Sequence, residues 1–457
     1  MIKKSLTPPA SRKASARLTQ GPVDKTLISL SKHMALGIVS IIFINVVDTF
    51  YVGQLGAKEL AAISFTFPVT MIVISLAMGL SIGTSALVSR AIGSGDHDRV
   101  KRLTTDCLSL AFILVFLVAL TGYLTIVPVF KALGASAEQI QLIHTYMSVW
   151  FIGVGLVVIP MVGNSAIRAT GDTKTPSRVM MVAAAVNIIL DPLLIFGIGP
   201  FPRLELTGAA LATLISYSLT FLFSLWVLGL REKMLTITLP TLAELWHSWQ
   251  ALFKLAIPAA TTNMMAPLTI GILTHLAASF GDSAVAALGV GTRIESLAMI
   301  GVMALSSVLT PFIGQNWGAK KHDRVQQSLH FAIKFALFWG VGLCVTLALL
   351  STVIASLFSD NPDVIQLIEI FLTVVPISYA GMGLIIITSA TYNAFHQPKQ
   401  AAILVLTRLF ILMVPLAFIG AHVWGITGIF AGVMAANALA GIFAYAKLKR
   451  KIRTLTH

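Results

Sequence analysis

Charged and thiol side chains are scarce in this chain of 457 residues. Asp, Glu, Lys and Arg make up 11% of it, against about 25% in a typical soluble protein. Cysteine occurs twice, as Cys107 and Cys344, and both lie inside apolar runs. They are expected to be small packing residues and not a disulfide or a metal pair. These shortages exclude an ordinary soluble domain and a disulfide-rich scaffold.

Motifs for enzyme chemistry are also missing. The sequence contains no HExxH motif, Walker A loop or dinucleotide fingerprint. The run Gly79-Leu-Ser-Ile-Gly83 matches a nucleophile elbow around Ser81, but that elbow requires a preceding strand. Here it lies in an apolar helix, where G-x-x-x-G permits close packing. We therefore expect no enzyme, no cofactor and no resident metal, with an ion gradient as the energy source. An intramembrane hydrolase using Ser81 is the alternative that Ser81→Ala would test.

Long apolar runs are abundant, and hydrophobic residues make up 56% of the chain. A helix that crosses a bilayer needs roughly 20 mostly apolar residues. Twelve such runs cover residues 26–54, 60–88, 103–130, 139–168, 176–199, 206–230, 250–277, 284–313, 326–357, 362–393, 400–420 and 424–446. The fold class is therefore an all-α integral membrane protein with twelve transmembrane helices.

The content of basic residues alternates from one loop between these runs to the next. Lysine and arginine gather in the first 25 residues, in every second loop and after the last run, while the alternate loops are poor in them. This asymmetry predicts that both termini are cytoplasmic. It also indicates that the formal net charge of +14 reflects insertion in a membrane and not binding to nucleic acid. Residues 1–25 and 447–457 are predicted to be basic cytoplasmic tails, the first of them flexible.

An internal repeat divides the chain. Gly93-Ser-Gly-Asp-His-Asp-Arg-Val100 corresponds to Gly318-Ala-Lys-Lys-His-Asp-Arg-Val325, an offset of 225 residues, and further matches occur in the same order. The repeat predicts two six-helix lobes, 26–230 (the N-lobe) and 250–446 (the C-lobe), joined by a cytoplasmic linker, 231–249. Parallel repeats of this kind place the substrate site between the halves near the bilayer midplane.

Acidic residues inside the spans are few. Asp48, Asp191 and Glu295 lie well inside, where a lone charge costs a few kcal/mol or more. Asp48 and Asp191 are predicted to lie at similar depth, and Asn187 shares a helix face with Asp191. Their oxygens suit a proton relay or a hard monovalent cation. The alternative is that the two acids have a purely structural role.

Other polar residues complete this picture. Tyr146 and Thr213 are predicted at a depth similar to that of the two aspartates. Glu295 is expected to meet a polar group on a neighbouring helix, whereas Arg408 and Lys334 are expected to extend to the cytoplasmic surface. At the repeat offset Asp48 falls on Leu273, so the C-lobe is predicted to be mainly an apolar wall.

These residues resemble the multidrug and toxic compound extrusion (MATE) transporters, most closely a prokaryotic DinF-like branch. The resemblance covers nearly the whole chain from about residue 26. It rests on the motifs Val47-Asp-Thr-Phe-Tyr-Val-Gly53, Asn164-Ser-Ala-Ile-Arg-Ala-Thr-Gly-Asp172, Asn187-Ile-Ile-Leu-Asp-Pro192, Arg293-Ile-Glu295 and Thr310-Pro-Phe-Ile-Gly-Gln-Asn316.

The resemblance implies antiport of amphipathic or cationic drugs and toxic compounds against H⁺ in a bacterial inner membrane by a multi-pass protein, expected to be a monomer. It also implies residue roles. The coupling residues are Asp48, Asp191, Asn187, Tyr146 and Thr213, and the substrate-binding residues are Asp48, Asn164, Met180 and Asn187. Na⁺ at Asp48, Asp191 and Asn187 is the alternative coupling ion. A flippase for lipids or lipid-linked oligosaccharides is the alternative activity.

The sequence departs from the family pattern at two places. Ala266 and Gly381 stand where another branch has acids that bind Na⁺ in the C-lobe, which argues against such a site here. Lys32-His33 replaces a proline early in helix 1, while its repeat mate Pro258 is a proline. A proline-driven bend of the first helix is therefore not implied for this chain.

Overall fold

The computed structural model describes residues 16–455, and within them all regular structure is helical. Sixteen α-helices follow one another in the described chain. Their bounds are α1 Val23–Gly53, α2 Ala57–Gly93, α3 His97–Leu124, α4 Ile126–Ala132, α5 Ala137–Gly153, α6 Gly155–Ala169, α7 Lys174–Phe196, α8 Glu205–Trp226, α9 Leu242–Ala278, α10 Asp282–Ala298, α11 Ile300–Gly318, α12 His322–Ser356, α13 Pro362–Val374, α14 Tyr379–Ala394, α15 Pro398–Leu406 and α16 Val414–Arg453.

Twelve spans emerge when the bends are taken into account. Within the described residues, nine helical stretches are long and apolar enough to cross a membrane, and two bent pairs add two more, α5 with α6 at 42° and α10 with α11 at 46°. The stretch 398–453 is a hairpin of two spans, since Trp424 and Gly425 leave helical geometry and Gly425 has a φ of +61°. Gly420 and Gly428 pack backbone to backbone beside that break. The predicted twelve-helix, two-lobe fold is confirmed.

An even number of spans puts both described chain ends on one side. We call this side the basic face, because it carries the loops around Lys101, Lys174 and Lys320, and we call the other side the opposite face. On the basic face the ends of α2 and α11 meet. A Cβ at Gly93 would lie 2.1 Å from the Gln315 carbonyl oxygen, and one at Gly318 would lie 2.3 Å from that of Arg90. Only glycine allows backbones this close, so the lobes are closed together here.

Residues 16–22 differ from the flexible tail that the sequence predicted. A short 3-10 turn, Arg17–Thr19, inserts between the lobes, and Leu18 is 2% exposed. The Leu18 amide donates to Gln315 Oε1 at 3.0 Å, and Arg324 Nη2 donates to the Leu18 carbonyl at 3.1 Å. Arg17 bonds Glu232, at the start of the linker that follows the N-lobe, at 3.1 Å. Burying a leucine this completely contributes about 1.5–3 kcal/mol, and the packing bridges both lobes; residues 1–15 of the predicted tail lie outside the described residues.

The other predicted segments also change in detail. The second half of the linker is helical, because α9 begins at Leu242 with a capping box between Thr241 and Glu244. Residues 447–453 of the predicted C-terminal tail continue α16. The third predicted run ends at Leu124, and the separate helix α4 follows it.

The first helix belongs to both lobes. Leu27 and Met34, in its basic-face half, are buried in the same apolar cluster as Leu309 and Phe312 of the C-lobe. Val52, near its other end, packs with Ile195 and other N-lobe residues. The helix is continuous and contains no proline. One unbroken helix therefore packs on both lobes.

Candidate functional site

A pair of carboxyl groups lies between α1 and α7 in the half of the N-lobe towards the opposite face. Asp191 and Asn187 are 0% and 1% exposed. Asn187 Nδ2 donates to Asp191 Oδ1 at 3.4 Å, as expected for residues four apart on one helix face. The Asp48 side chain on α1 approaches both of them. The structure thus brings together the two acids that the sequence placed at similar depth and the asparagine that it placed on the helix face of Asp191.

Proline at position 192 contributes to this local geometry. Pro192 lies inside α7 and has no amide hydrogen, so the usual bond to the carbonyl of residue 188 is missing. Polar backbone is therefore available one turn from Asp191. The helix α7 nevertheless runs unbroken through Pro192 to Phe196.

Three buried oxygen atoms at this site have no donor among the described residues. They are Asp48 Oδ1, Asn187 Oδ1 and Asp191 Oδ2. Buried polar atoms in proteins are almost always hydrogen-bonded, so a set of unpaired acceptors requires an explanation. Two carboxyl groups this close repel when both are charged, and a proton or a small cation between them removes the repulsion. The arrangement can hold one or the other.

The remaining predicted residues fall into two groups. Tyr146 on α5 is close enough to interact electrostatically with both carboxyl groups. Thr213 on α8 donates to the Ala209 carbonyl of its own helix at 3.1 Å, and no hydrogen bond joins it to the acids. Asn164 is 6% exposed on α6, and Met180 Sδ would lie 3.2 Å from a Cβ at Gly37 of α1. No hydrogen bond joins either of these last two residues to the acid pair.

Tyr217 was missed by the sequence reasoning. It lies one turn after Thr213 on α8 and interacts electrostatically with Asp48. The spacing of four residues from a chosen threonine is the signal that could have found it.

The C-lobe carries its own buried polar group, which corrects two expectations. Arg408 does not extend to the surface: its Nε donates to Asn437 Oδ1 of α16 at 2.7 Å, and Glu295 interacts electrostatically with it. Tyr379, 0% exposed, also lies near Glu295. A π-helical segment, Thr407–Met413, carries the arginine inward. The C-lobe is therefore more than an apolar wall, and Glu295 lies within electrostatic range of Arg408 without an ion pair to it among the described residues.

Among the described residues, no group of three or more His, Cys, Asp or Glu side chains is close enough to hold a metal ion. Ser81 is buried on α2, and its hydroxyl has no hydrogen-bond partner among the described residues. Nothing in this geometry resembles a nucleophile with its base.

Known proteins resemble this chain along most of its length. The MatE family model matches residues 34–193 and 258–419, one segment in each lobe. A FAD transporter from Shewanella oneidensis is 42% identical over 94% of this chain and 95% of its own. The multidrug export protein MepA from Staphylococcus aureus is 24% identical over 93% of each chain.

A solved structure of a MATE transporter is also similar to this chain along most of its length. The Vibrio cholerae MATE transporter VcmN, in a variant with one aspartate replaced by asparagine, superposes with a TM-score of 0.90 at 31% identity, over 94% of this chain and 97% of its own. This similarity extends across both lobes. The chain therefore belongs to the MATE family of multi-pass membrane transporters, and it is a transporter and not an enzyme.

Proposed function

We propose that this protein exports amphipathic organic compounds in exchange for protons, through alternating access coupled at Asp48, Asp191 and Asn187. The observation that carries the proposal is the pair of neighbouring carboxyl groups with three unpaired buried oxygen atoms. A bilayer interior tolerates such a group only when something neutralises it for part of the cycle. A proton does so with the least change in structure.

The first helix provides the coupling step. A proton on Asp48 or Asp191 removes the repulsion between α1 and α7, which changes the packing between these helices. Because Leu27 and Met34 of α1 are buried in the C-lobe cluster, the change at Asp48 also alters the contact between lobes. Proton binding can shift the equilibrium only by its difference in affinity between the two states. In the state described here the basic face is closed, so substrate would leave from the opposite face.

The proposal includes an orientation. We propose that the basic face is cytoplasmic, in a bacterial inner membrane, since Lys and Arg concentrate in the loops of that side. Compounds would then enter from the cytoplasm when the ends of α2 and α11 separate. Protons would enter from the other side and return the acids to their neutral form.

Separate ion gradients test the coupling. In proteoliposomes, efflux of the fluorescent cation ethidium is expected to follow an imposed H⁺ gradient and to fall at least tenfold in Asp48→Asn, because a fixed amide cannot exchange a proton. Asp363→Asn, at an exposed acid near the start of α13, is the matched control and should transport normally. Efflux that followed only a Na⁺ gradient would replace the proton by Na⁺ at the same oxygens. Full H⁺-coupled efflux in Asp48→Asn would refute the mechanism.

FAD is a second candidate substrate. It is favoured by the 42% identity over 94% of the chain to a protein named FAD transporter. It is also favoured by Arg293, an exposed cation in the first helix of a bent spanning pair, α10 with α11, where a phosphate could meet it. FAD and ethidium efflux should be measured side by side, with Arg293→Gln. Loss of FAD efflux alone would identify an anionic dinucleotide as the substrate, whereas loss of neither would exclude Arg293 from substrate binding.

A further inference from the structure

A large basic recess opens on the basic face of the C-lobe. It lies between the ends of α9, α15 and α16 and has a volume of about 1130 Å³. Five cationic side chains line it, and its lining contains no carboxylate; the cations are Lys254, Lys399, Lys447, Arg450 and Lys451. None of the five has an acidic partner in the ion pairs of the described residues. Like charges gathered without counter-charges favour an anionic ligand.

Neighbouring groups fix two of these ammonium groups in place. Lys447 Nζ donates to Gln400 Oε1 at 3.0 Å and lies 4.9 Å from the centroid of the Phe443 ring. Lys451 Nζ lies 4.4 Å above the Phe395 ring. Aromatic faces stabilise a cation without neutralising it. The charges are thus positioned and still able to bind an anion.

The N-lobe offers an internal comparison through the repeat. Gln397, beside the recess, occupies the place of Asp172 at the offset of 225 residues, and Lys451 occupies that of Arg231 once the shorter loop is allowed. In the N-lobe, Arg231 bonds Asp172, and also Glu232 at 3.0 Å. The corresponding positions of the C-lobe carry neither acid, because they are occupied by Gln397 and Ile452. The excess of charge is therefore particular to this lobe and is not a general result of basic loops.

The wall of the recess is apolar on the side of the membrane. Phe253, Ile257 and Pro258 of α9 line it, and Ile257 is 56% exposed. On α16, Ile442 and Phe443 continue this surface into the span with 67% and 48% exposure. A ligand with a phosphate and long hydrocarbon chains matches both parts, since a soluble anion would leave the apolar wall uncovered.

We propose that this recess binds the headgroup of an anionic phospholipid, with its phosphate at Lys254, Lys447 and Lys451 and its acyl chains along Ile257 and Phe443. Basic pockets between spanning helices are suited to such headgroups. The recess adjoins the contact between lobes, because Lys254 and Gln250 also line a smaller cavity that reaches Leu87 of α2. A lipid bound here would stabilise the closed basic face.

Titration of the detergent-purified protein with phosphatidylglycerol, phosphatidylcholine and FAD tests the proposal, with binding followed by native mass spectrometry. The parent should bind phosphatidylglycerol in preference to phosphatidylcholine. The triple variant Lys254→Gln, Lys447→Gln, Lys451→Gln should bind it roughly 100-fold more weakly, since each lysine near an anionic headgroup contributes about fivefold. The matched control removes three exposed lysines of the same face outside the recess, Lys32→Gln, Lys174→Gln and Lys233→Gln, and should stay close to the parent.

Further outcomes bear on the same proposal. An equal loss in both triple variants would overturn it, because the effect would then be one of total charge. FAD that displaced phosphatidylglycerol from the parent would also overturn it, in favour of a soluble dinucleotide site. If the glutamine variant does not fold, Lys254→Arg, Lys447→Arg, Lys451→Arg should retain binding and Lys447→Gln alone should lose about fivefold. Failure of either result would count against the lipid.

Discussion

His396 shows how one residue connects the lobes. It lies in the loop between α14 and α15, at a φ of +59°, and its ring reaches across to the Ala86 carbonyl at 3.2 Å and to Arg90 at 3.5 Å. Burial is the main cause that lowers the pKa of His396, and the charges of Arg90 and Arg99 lower this pKa further. The hydrogen bond to the Ala86 carbonyl has the opposite effect and raises it. The neutral ring is therefore the form that fits the closed basic face.

Acid should weaken this contact. The unfolded histidine has a pKa of about 6.5, and the folded one is lower, so the unfolded chain binds more protons as the pH falls between the two. The stability that the neutral His396 contributes is therefore fully present above about pH 6.5, and it is lost as the pH falls towards the pKa of the folded state. We expect His396→Asn, which tolerates the left-handed backbone, to lose less Tm than the parent between about pH 7 and pH 5. His97→Gln, at an exposed histidine, should follow the parent. Parallel curves for parent and His396→Asn would contradict the prediction.

Among the helices, α2 and α11 form the contact that closes the basic face. The internal repeat relates the residues on the two sides of this contact. Gly93 and Gly318 are repeat mates, and so are Arg90 and Gln315. Gly93 packs on Gln315 while Gly318 packs on Arg90. The two contacts are thus the same contact made twice, as at an interface with two-fold symmetry. Ser89 and Gly314, also repeat mates, touch each other, which places the pseudo-symmetry axis between these helices.

A methyl group at this contact should open it. In Gly93→Ala the new Cβ would lie 2.1 Å from the Gln315 carbonyl oxygen, and overpacking of this kind costs about 1–3 kcal/mol. We expect the basic face to stay closed less often and ethidium efflux to fall several-fold. Gly342→Ala, where the added Cβ meets nothing within 4 Å, should leave efflux unchanged and stabilise α12 by about 0.5–1 kcal/mol. Equal efflux in the two variants would show that the glycine contact does not limit transport.

Over the whole molecule, the proposed orientation can be measured directly. Single cysteines are introduced at Lys233 on the basic face and at Asp360 on the opposite face, in a background without Cys107 and Cys344. A reagent that cannot cross membranes should label Asp360→Cys in intact cells, and Lys233→Cys only after the cells are opened. The physical reason is the concentration of lysine and arginine at the loops of the basic face, which resist translocation. Labelling of Lys233→Cys in intact cells would invert the proposed topology.

Much of this molecule follows from local pattern. Twelve apolar runs and a repeat offset of 225 residues are local regularities, so they predict the spans and the two lobes. The grouping of Asp48 with Asp191 and Asn187 also follows, since depth in the bilayer is set by distance from the loops. Arg408 was misjudged because a π-helical segment rotates its side chain, and such a change in helical phase cannot be read from apolar periodicity.

What depends on distant contacts could be known only once the chain was folded. The packing of Leu18 between the lobes requires Gln315 and Arg324, about 300 residues away, and nothing near Leu18 indicates them. The division of α1 between the lobes and the basic recess depend likewise on where separate helices end relative to one another. Composition and periodicity determine which segments enter the membrane, because burial in lipid is a property of each segment. Which side chains meet there is a property of the pairwise packing of helices, and that was settled by the tertiary structure.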